Sequence, residues 1–166
     1  MSNSAAFLTA LRLSDSMLPV GTYTASYGIE QYLNEGHIET ADELGTLIEG
    51  YLRRIIGPVD MVALGHAYQS AAEDNVDGIL AADERFGAAT LPAEFRESSQ
   101  KAGGKLLELI EGTDEYPFTA VTADGVVDSY RTANGTGQTT GYYPDVLGLV
   151  CQQAGIDRLE APLICS

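Results

Sequence analysis

The chain has 166 residues, 45% of them apolar, and a formal net charge of −15 from 24 acidic against 9 basic residues. That length holds one domain with a core. The acidic field repels nucleic-acid phosphates and anionic membranes, so neither is expected as a partner. No apolar run approaches the roughly 20 residues that cross a bilayer. The N-terminus, MSNSAAFLTALRLSDS, has no basic leader ahead of an apolar stretch, so the cytoplasm is the expected location. Lys101 and Lys105 are the lysines and the other bases are arginine. So acidic and lysine-poor a surface suits a high-salt cytoplasm, where screening relieves self-repulsion. Cys151 and Cys165 are too few for a disulfide framework.

The apolar spacing is helical along most of the chain. Ser4 can cap a first helix carrying Phe7, Leu8, Leu11 and Arg12, which fades by Ser14. A second helix is expected from near Ser26 to Asn34-Glu35-Gly36. Thr40 and Glu43 have the spacing of a capping box. The helix they open carries Leu44, Leu47, Ile48, Tyr51, Leu52 and Ile55 at i, i+3, i+4 intervals. Gly57 is expected to stop it, and Pro58 suits the first turn of a fourth helix with Val59, Val62, Ala63, Leu64 and Tyr68, ending near Glu73. A fifth runs from about Asp77 to Ala89. A sixth, restarted by Leu91-Pro92, holds Phe95, Ala102, Leu106, Leu109 and Ile110. Residues 112–143 read as a glycine-rich loop, in which Asp124-Gly125 permits either a hairpin over 118–130 or plain loop. Pro144 opens a last helix through Val146, Leu147, Leu149 and Val150 to Gly155. The expected fold is all-α: one compact domain of about seven helices over 1–155, mostly antiparallel, with an atypical tail at 156–166.

Between the first two helices, Leu13–Glu30 is neither a good helix nor a good strand. Pro19 removes a donor, Gly21 and Gly28 permit unusual backbone angles, and hydroxyl and acidic groups surround them. Irregular segments on a rigid scaffold often carry function. The chemistry that would make one an active site is missing. Gly103-Gly104-Lys105-Leu106 fails as a phosphate loop, because Ser99 stands at the required glycine and Leu106 at the required hydroxyl. Ser26 is not in a Gly-x-Ser-x-Gly elbow. His37 and His66 have no second ligand at i+3 or i+4, which leaves them weak metal candidates. Acid runs such as Glu39-Asp42-Glu43 and Asp83-Glu84 read as solvated faces. Asp15 and Glu30 flank the segment. An acid–base pair built on them is the enzymatic alternative, and a helical interaction module with no metal link is the other.

Leu13-Ser14-Asp15-Ser16, Leu18-Pro19-Val20-Gly21, Tyr23, Ser26, Gly28, Ile29 and Glu30 together resemble the opening motif of the urease accessory protein UreF family. Glu94-Phe95-Arg96 with Ser99 and Gly103 is similar to that family's second pattern, and Tyr143-Pro144 with Val146 and Gly148 to a third. Tyr23, Thr24-Ala25 and Tyr142 depart from the usual residues. The stretch 119–141 is longer than the family's connection, and 157–166 does not resemble the helices and partner-binding tail that family members carry next. The resemblance implies a non-catalytic adaptor; the acidic composition adds the expectation of a haloarchaeal type, and the unmatched 157–166 that of a C-terminal truncation. Such an adaptor bridges a UreD/UreH-type scaffold and a UreG-type GTPase, helps insert nickel into apo-urease, tends to dimerise, and binds no cofactor tightly. It implies that Pro19, Gly21, Tyr23, Ser26, Gly28, Glu30, Arg96 and Ser99 contribute to partner contact. Arg96 suits a fixed structural contact better, since its planar fork favours one.

Overall fold

The computed structural model of the chain describes residues 3–15, 18–20, 29–111, 121 and 125–161. Among these the fold is all-α. The elements are α1 (Asn3–Leu13), α2 (Ile29–Asn34), α3 (Ala41–Tyr51), a π-helical segment (Leu52–Asp60), α4 (Met61–Ala72), α5 (Val76–Ala89), α6 (Ala93–Ile110), α7 (Gly125–Gly135) and α8 (Tyr143–Gln153).

Local chemistry sets several of these boundaries. The capping box at α3 forms as its spacing predicts: Glu43 N–H donates to Thr40 Oγ1 at 3.2 Å, and Thr40 N–H donates to Glu43 Oε2 at 3.0 Å. Asn75 caps α5 by accepting from Gly78 N–H at 3.0 Å. At the end of α8, Ile156 N–H reaches back to the Cys151 carbonyl at 3.0 Å and Gly155 N–H to Gln152 at 3.0 Å. This Schellman closure needs the left-handed φ of +73° that Gly155 supplies.

Gly57-Pro58 does not end a helix. The chain passes from α3 through the π-helical segment into α4 without a turn. Pro58 has no N–H and would clash in a tight α-turn. The wider π winding accommodates it, and Met61 N–H bonds the Ile56 carbonyl five residues back. A second correction concerns 118–130. Residues 118–120 and 122–124 lie outside the described set, but 125–130 form the first turns of α7 and not a hairpin strand. Val126, Val127, Tyr130 and Ala133, all buried, make a helical stripe that the surrounding glycine and threonine content disguised. The presumed loop at 112–143 therefore contains a core helix.

α8 is the centre. Every residue from Pro144 to Cys151 is buried, because α4, α5 and α6 pack around it. The α4–α8 contact is close enough that a Cβ on Gly148 would collide with the Leu64 carbonyl oxygen and lie 3.1 Å from Tyr68 N. Tyr68 OH donates to the Ile156 carbonyl at 2.8 Å, tying α4 to the chain beyond α8. Leu106, Leu107, Leu109 and Ile110 of α6 complete the core.

The N-terminal third is built differently. α3 contains no buried residue: Leu44, Leu47 and Tyr51 are half-buried, and Ile48 is exposed. On α1 the buried side chains are Thr9 and Leu13, while Phe7, Leu8 and Leu11 are 63%, 57% and 53% exposed. The stripe that identified the first helix faces away from the core. No described helix is long and apolar enough to cross a membrane.

Candidate partner-binding surface

Of the opening segment, Leu13, Leu18 and Val20 are buried in the main core. Val20 N–H donates to the Leu18 carbonyl at 2.7 Å, closing a three-residue turn around Pro19, whose ring is exposed at its tip. Pro19 thus shapes a surface point anchored by apolar side chains on both sides. Glu30 is exposed in the first turn of α2, where a carboxylate faces the positive helix end. Gly21, Tyr23, Ser26 and Gly28 lie outside the described residues. Asp15 and Glu30 are both exposed, whereas an acid–base pair would need an enclosed setting.

The second and third sequence patterns meet in space. Arg96 Nη1 donates to the Thr90 carbonyl at 2.6 Å and the Leu91 carbonyl at 2.7 Å, so the guanidinium closes the α5–α6 corner. One turn later, Ser99 Oγ accepts from Tyr143 N–H at 3.0 Å, binding α6 to the start of α8. One turn further, Gly103 lets the chain at Gly141 pass so close that a Cβ would collide with its carbonyl oxygen. Arg96, Ser99 and Gly103 are one edge of α6 that seats the entry to α8. As the fork geometry of arginine suggested, Arg96 is held by backbone carbonyls.

The opposite side of that entry is fixed by Asp83, which sequence reasoning assigned to a solvated face and which is 1% exposed. Its Oδ1 accepts from Tyr142 N–H at 2.7 Å and Tyr130 OH at 3.3 Å. Its Oδ2 accepts from Thr139 Oγ1 at 2.6 Å, Thr140 N–H at 2.9 Å and Gly141 N–H at 3.2 Å. One carboxylate therefore gathers five donors and folds 139–142 around itself. Burial, then the adjacent Asp83 carboxylate, push the Tyr130 phenol up, which keeps it a donor. The signal was present in the sequence: Asp83 shares a helical face with Ile79, Ala82 and Phe86.

Two further acids were not singled out. Asp145, fully buried in the first turn of α8, has no hydrogen-bond partner for either oxygen among the described residues. Burial, then the negative Asp83 and Asp60, raise its pKa well above the ordinary carboxylate value. Burial alone pushes Asp60 up to about 6. Asp60 lines a small pocket with Phe95 and Ser99, between the π-helical segment and α6.

The histidines lie apart. His37 Nε2 is 3.3 Å from Glu35 Oε2, and His37 stands edge-on to Tyr32 with ring centres 5.9 Å apart. His66 is exposed on α4. Among the described residues no three His, Cys, Asp or Glu side chains are placed to hold a metal ion. Gly103-Gly104-Lys105 lies mid-way along α6 and not at a strand-to-helix turn.

A family model for UreF matches residues 38–165. The span begins beyond the opening segment and runs past Gly155. Among curated relatives, the urease accessory protein UreF of Trichodesmium erythraeum is 27% identical over 157 residues, covering 94% of this chain and 64% of that protein. The UreF of Paenarthrobacter aurescens is 29% identical over 159 residues, covering 95% of this chain and 65% of the relative. That of an Arthrobacter species is 27% identical over 154 residues, with 93% and 62% covered. The chain spans a little under two thirds of the length of these relatives.

Proposed function

The chain belongs to the UreF family, and on that premise we propose that it acts as a urease accessory protein, a non-catalytic adaptor in nickel insertion. In this reading it bridges a UreD/UreH-type scaffold and a UreG-type GTPase on apo-urease in the cytoplasm. The observation that carries the reading is the family match over 38–165, reinforced by relatives aligned along more than nine tenths of the chain. The geometry is compatible with it. An adaptor needs a rigid body and presented surfaces, and α8 with its surrounding helices supplies the first. Pro19 at its anchored turn and Glu30 on α2 are the described members of the proposed contact surface. Arg96 and Ser99 contribute by holding the α5–α6 corner and the start of α8 in place. Nickel is cargo here, and His37 and His66 are the candidates for touching it in passing.

Co-expression with the cognate scaffold and GTPase, followed by purification through a tag on the scaffold, tests the reading. Elution of all three together supports it. Failure of a folded chain to co-purify with either partner overturns it for this chain. Replacing Pro19 with alanine and Glu30 with lysine should weaken retention without lowering the melting temperature by more than a few degrees.

A further inference from the structure

The pocket beside Asp60 combines aromatic walls with polar side chains. It encloses about 80 Å³ between α3, the π-helical segment, α5, α6 and α8. Four rings line it, from Tyr51, Phe86, Phe95 and Tyr143, with Tyr51 and Phe95 edge-to-face at 6.3 Å between centres. Four polar side chains join them, Asp60, Thr90, Ser98 and Ser99, of which Ser99 is already engaged, its Oγ accepting from Tyr143 N–H. Thr90 is 6% exposed, and its hydroxyl has no hydrogen-bond partner among the described residues. A buried hydroxyl left unmade forfeits roughly 1–3 kcal/mol, so a donor brought within reach of it would be favoured. No Lys, Arg or His nitrogen among the described residues lies within 4.0 Å of Asp60. The cation flanking this corner, Arg96, is committed to the Thr90 and Leu91 carbonyls.

We propose that this pocket binds a primary ammonium group on a short apolar stem. Three acceptors, the Asp60 carboxylate and the Thr90 and Ser98 hydroxyls, match the three N–H donors of an ammonium ion. A guanidinium, flat and with five donors, would leave donors unpaired there. Aromatic walls hold the stem and attract the charge through their π-electrons. The volume admits a ligand of a few heavy atoms, since one water needs about 10–15 Å³ of such space. The net charge of −15 draws cations towards the chain. Two sources share this chemistry, a free aliphatic amine and a lysine side chain on another protein. The site stands on its own geometry and does not depend on the urease reading.

The test is a titration of the full chain with n-butylammonium at neutral pH, followed by NMR shifts of the residues around Asp60, with n-butanol as the neutral isostere. Saturable binding is expected. Asp60→Asn, which keeps the shape, should weaken it about ten-fold or more. Phe95→Leu should weaken it about three- to five-fold. Asp77→Asn, on an exposed turn of α5, should leave it unchanged. Melting curves of each variant separate lost binding from lost fold. Equal affinity for butanol and butylammonium, or full affinity in a folded Asp60→Asn protein, would overturn the proposal. So would an absence of saturable binding. N-acetyl-lysinamide distinguishes the sources: if it competes with butylammonium, a protein lysine can enter the pocket, and if it does not, the ligand is a free amine. Both results require the site.

Discussion

α3 and α8 have the same length and similarly apolar sequences, yet opposite roles. Every residue of α8 from Pro144 to Cys151 is buried, and no residue of α3 is. The difference lies in what surrounds each. α8 has α4, α5 and α6 packed around it, while α3 leads through the π-helical segment into α4 and sits at the edge. Helical periodicity therefore states that a segment winds as a helix. It does not state that the apolar stripe finds cover within the same chain. α1 repeats the lesson, with Phe7, Leu8 and Leu11 turned outward while Leu13 is buried.

Substitutions can break or sharpen this contrast. The largest effect belongs to Asp83→Ala, which strands the Tyr130 hydroxyl and three backbone N–H groups inside the protein. A loss of about 4 kcal/mol is expected by urea denaturation, while its exposed neighbour Glu84→Ala should stay within about 0.5 kcal/mol. Next is Gly148→Ala, whose Cβ would meet the Leu64 carbonyl. Forcing α4 and α8 apart should cost about 2–3 kcal/mol. Gly45→Ala on α3, where a Cβ meets nothing within 4 Å, should instead stabilise by about 0.5–1 kcal/mol. Replacing Leu8 or Leu11 with serine should move stability by less than about 0.5 kcal/mol each and improve solubility.

A last effect concerns pH. Burial pushes the folded Asp60 carboxyl up to about 6, above the ordinary aspartate value of about 3.9. The folded state therefore holds the proton more tightly than the unfolded chain. The stability this contributes is present below the unfolded pKa and is lost as pH rises from about 4 to about 6. Burial raises Asp145 as well, and it acts with the same sign. Asp60→Asn should flatten the decline between about pH 4 and 6 in melting scans. An unchanged slope would remove Asp60 as its cause.

What the sequence disclosed follows the range of the interactions involved. The Thr40–Glu43 cap, the Pro144 start of α8 and the Gly155 stop are settled within a few residues, and all three were legible. So was the order of the three family patterns, though not that Ser99 would bond Tyr143 and Gly103 would admit Gly141. Those contacts join positions some forty residues apart, and a single sequence carries no trace of the pairing. α7 was missed because the turn signal of Asp124-Gly125 outweighed a correct four-residue stripe. Gly57-Pro58 was misread because a π-helical winding relieves the clash on which the stop signal rests. Asp83 was assigned to solvent on its charge, although its helical phase with Ile79 and Phe86 placed it inside. The pocket acids and Thr90 matter only through neighbours from other helices, so no local pattern marks them.

α4–α8 form the folded body, and α1–α3 ride at its edge. Amide hydrogen exchange on the isolated chain, read by mass spectrometry of peptides from α3 and α8, tests this arrangement most directly. Exchange in α8 only through global unfolding, with α3 exchanging faster by two or more orders of magnitude, is the expected result. Equal protection of α3 and α8 would contradict it.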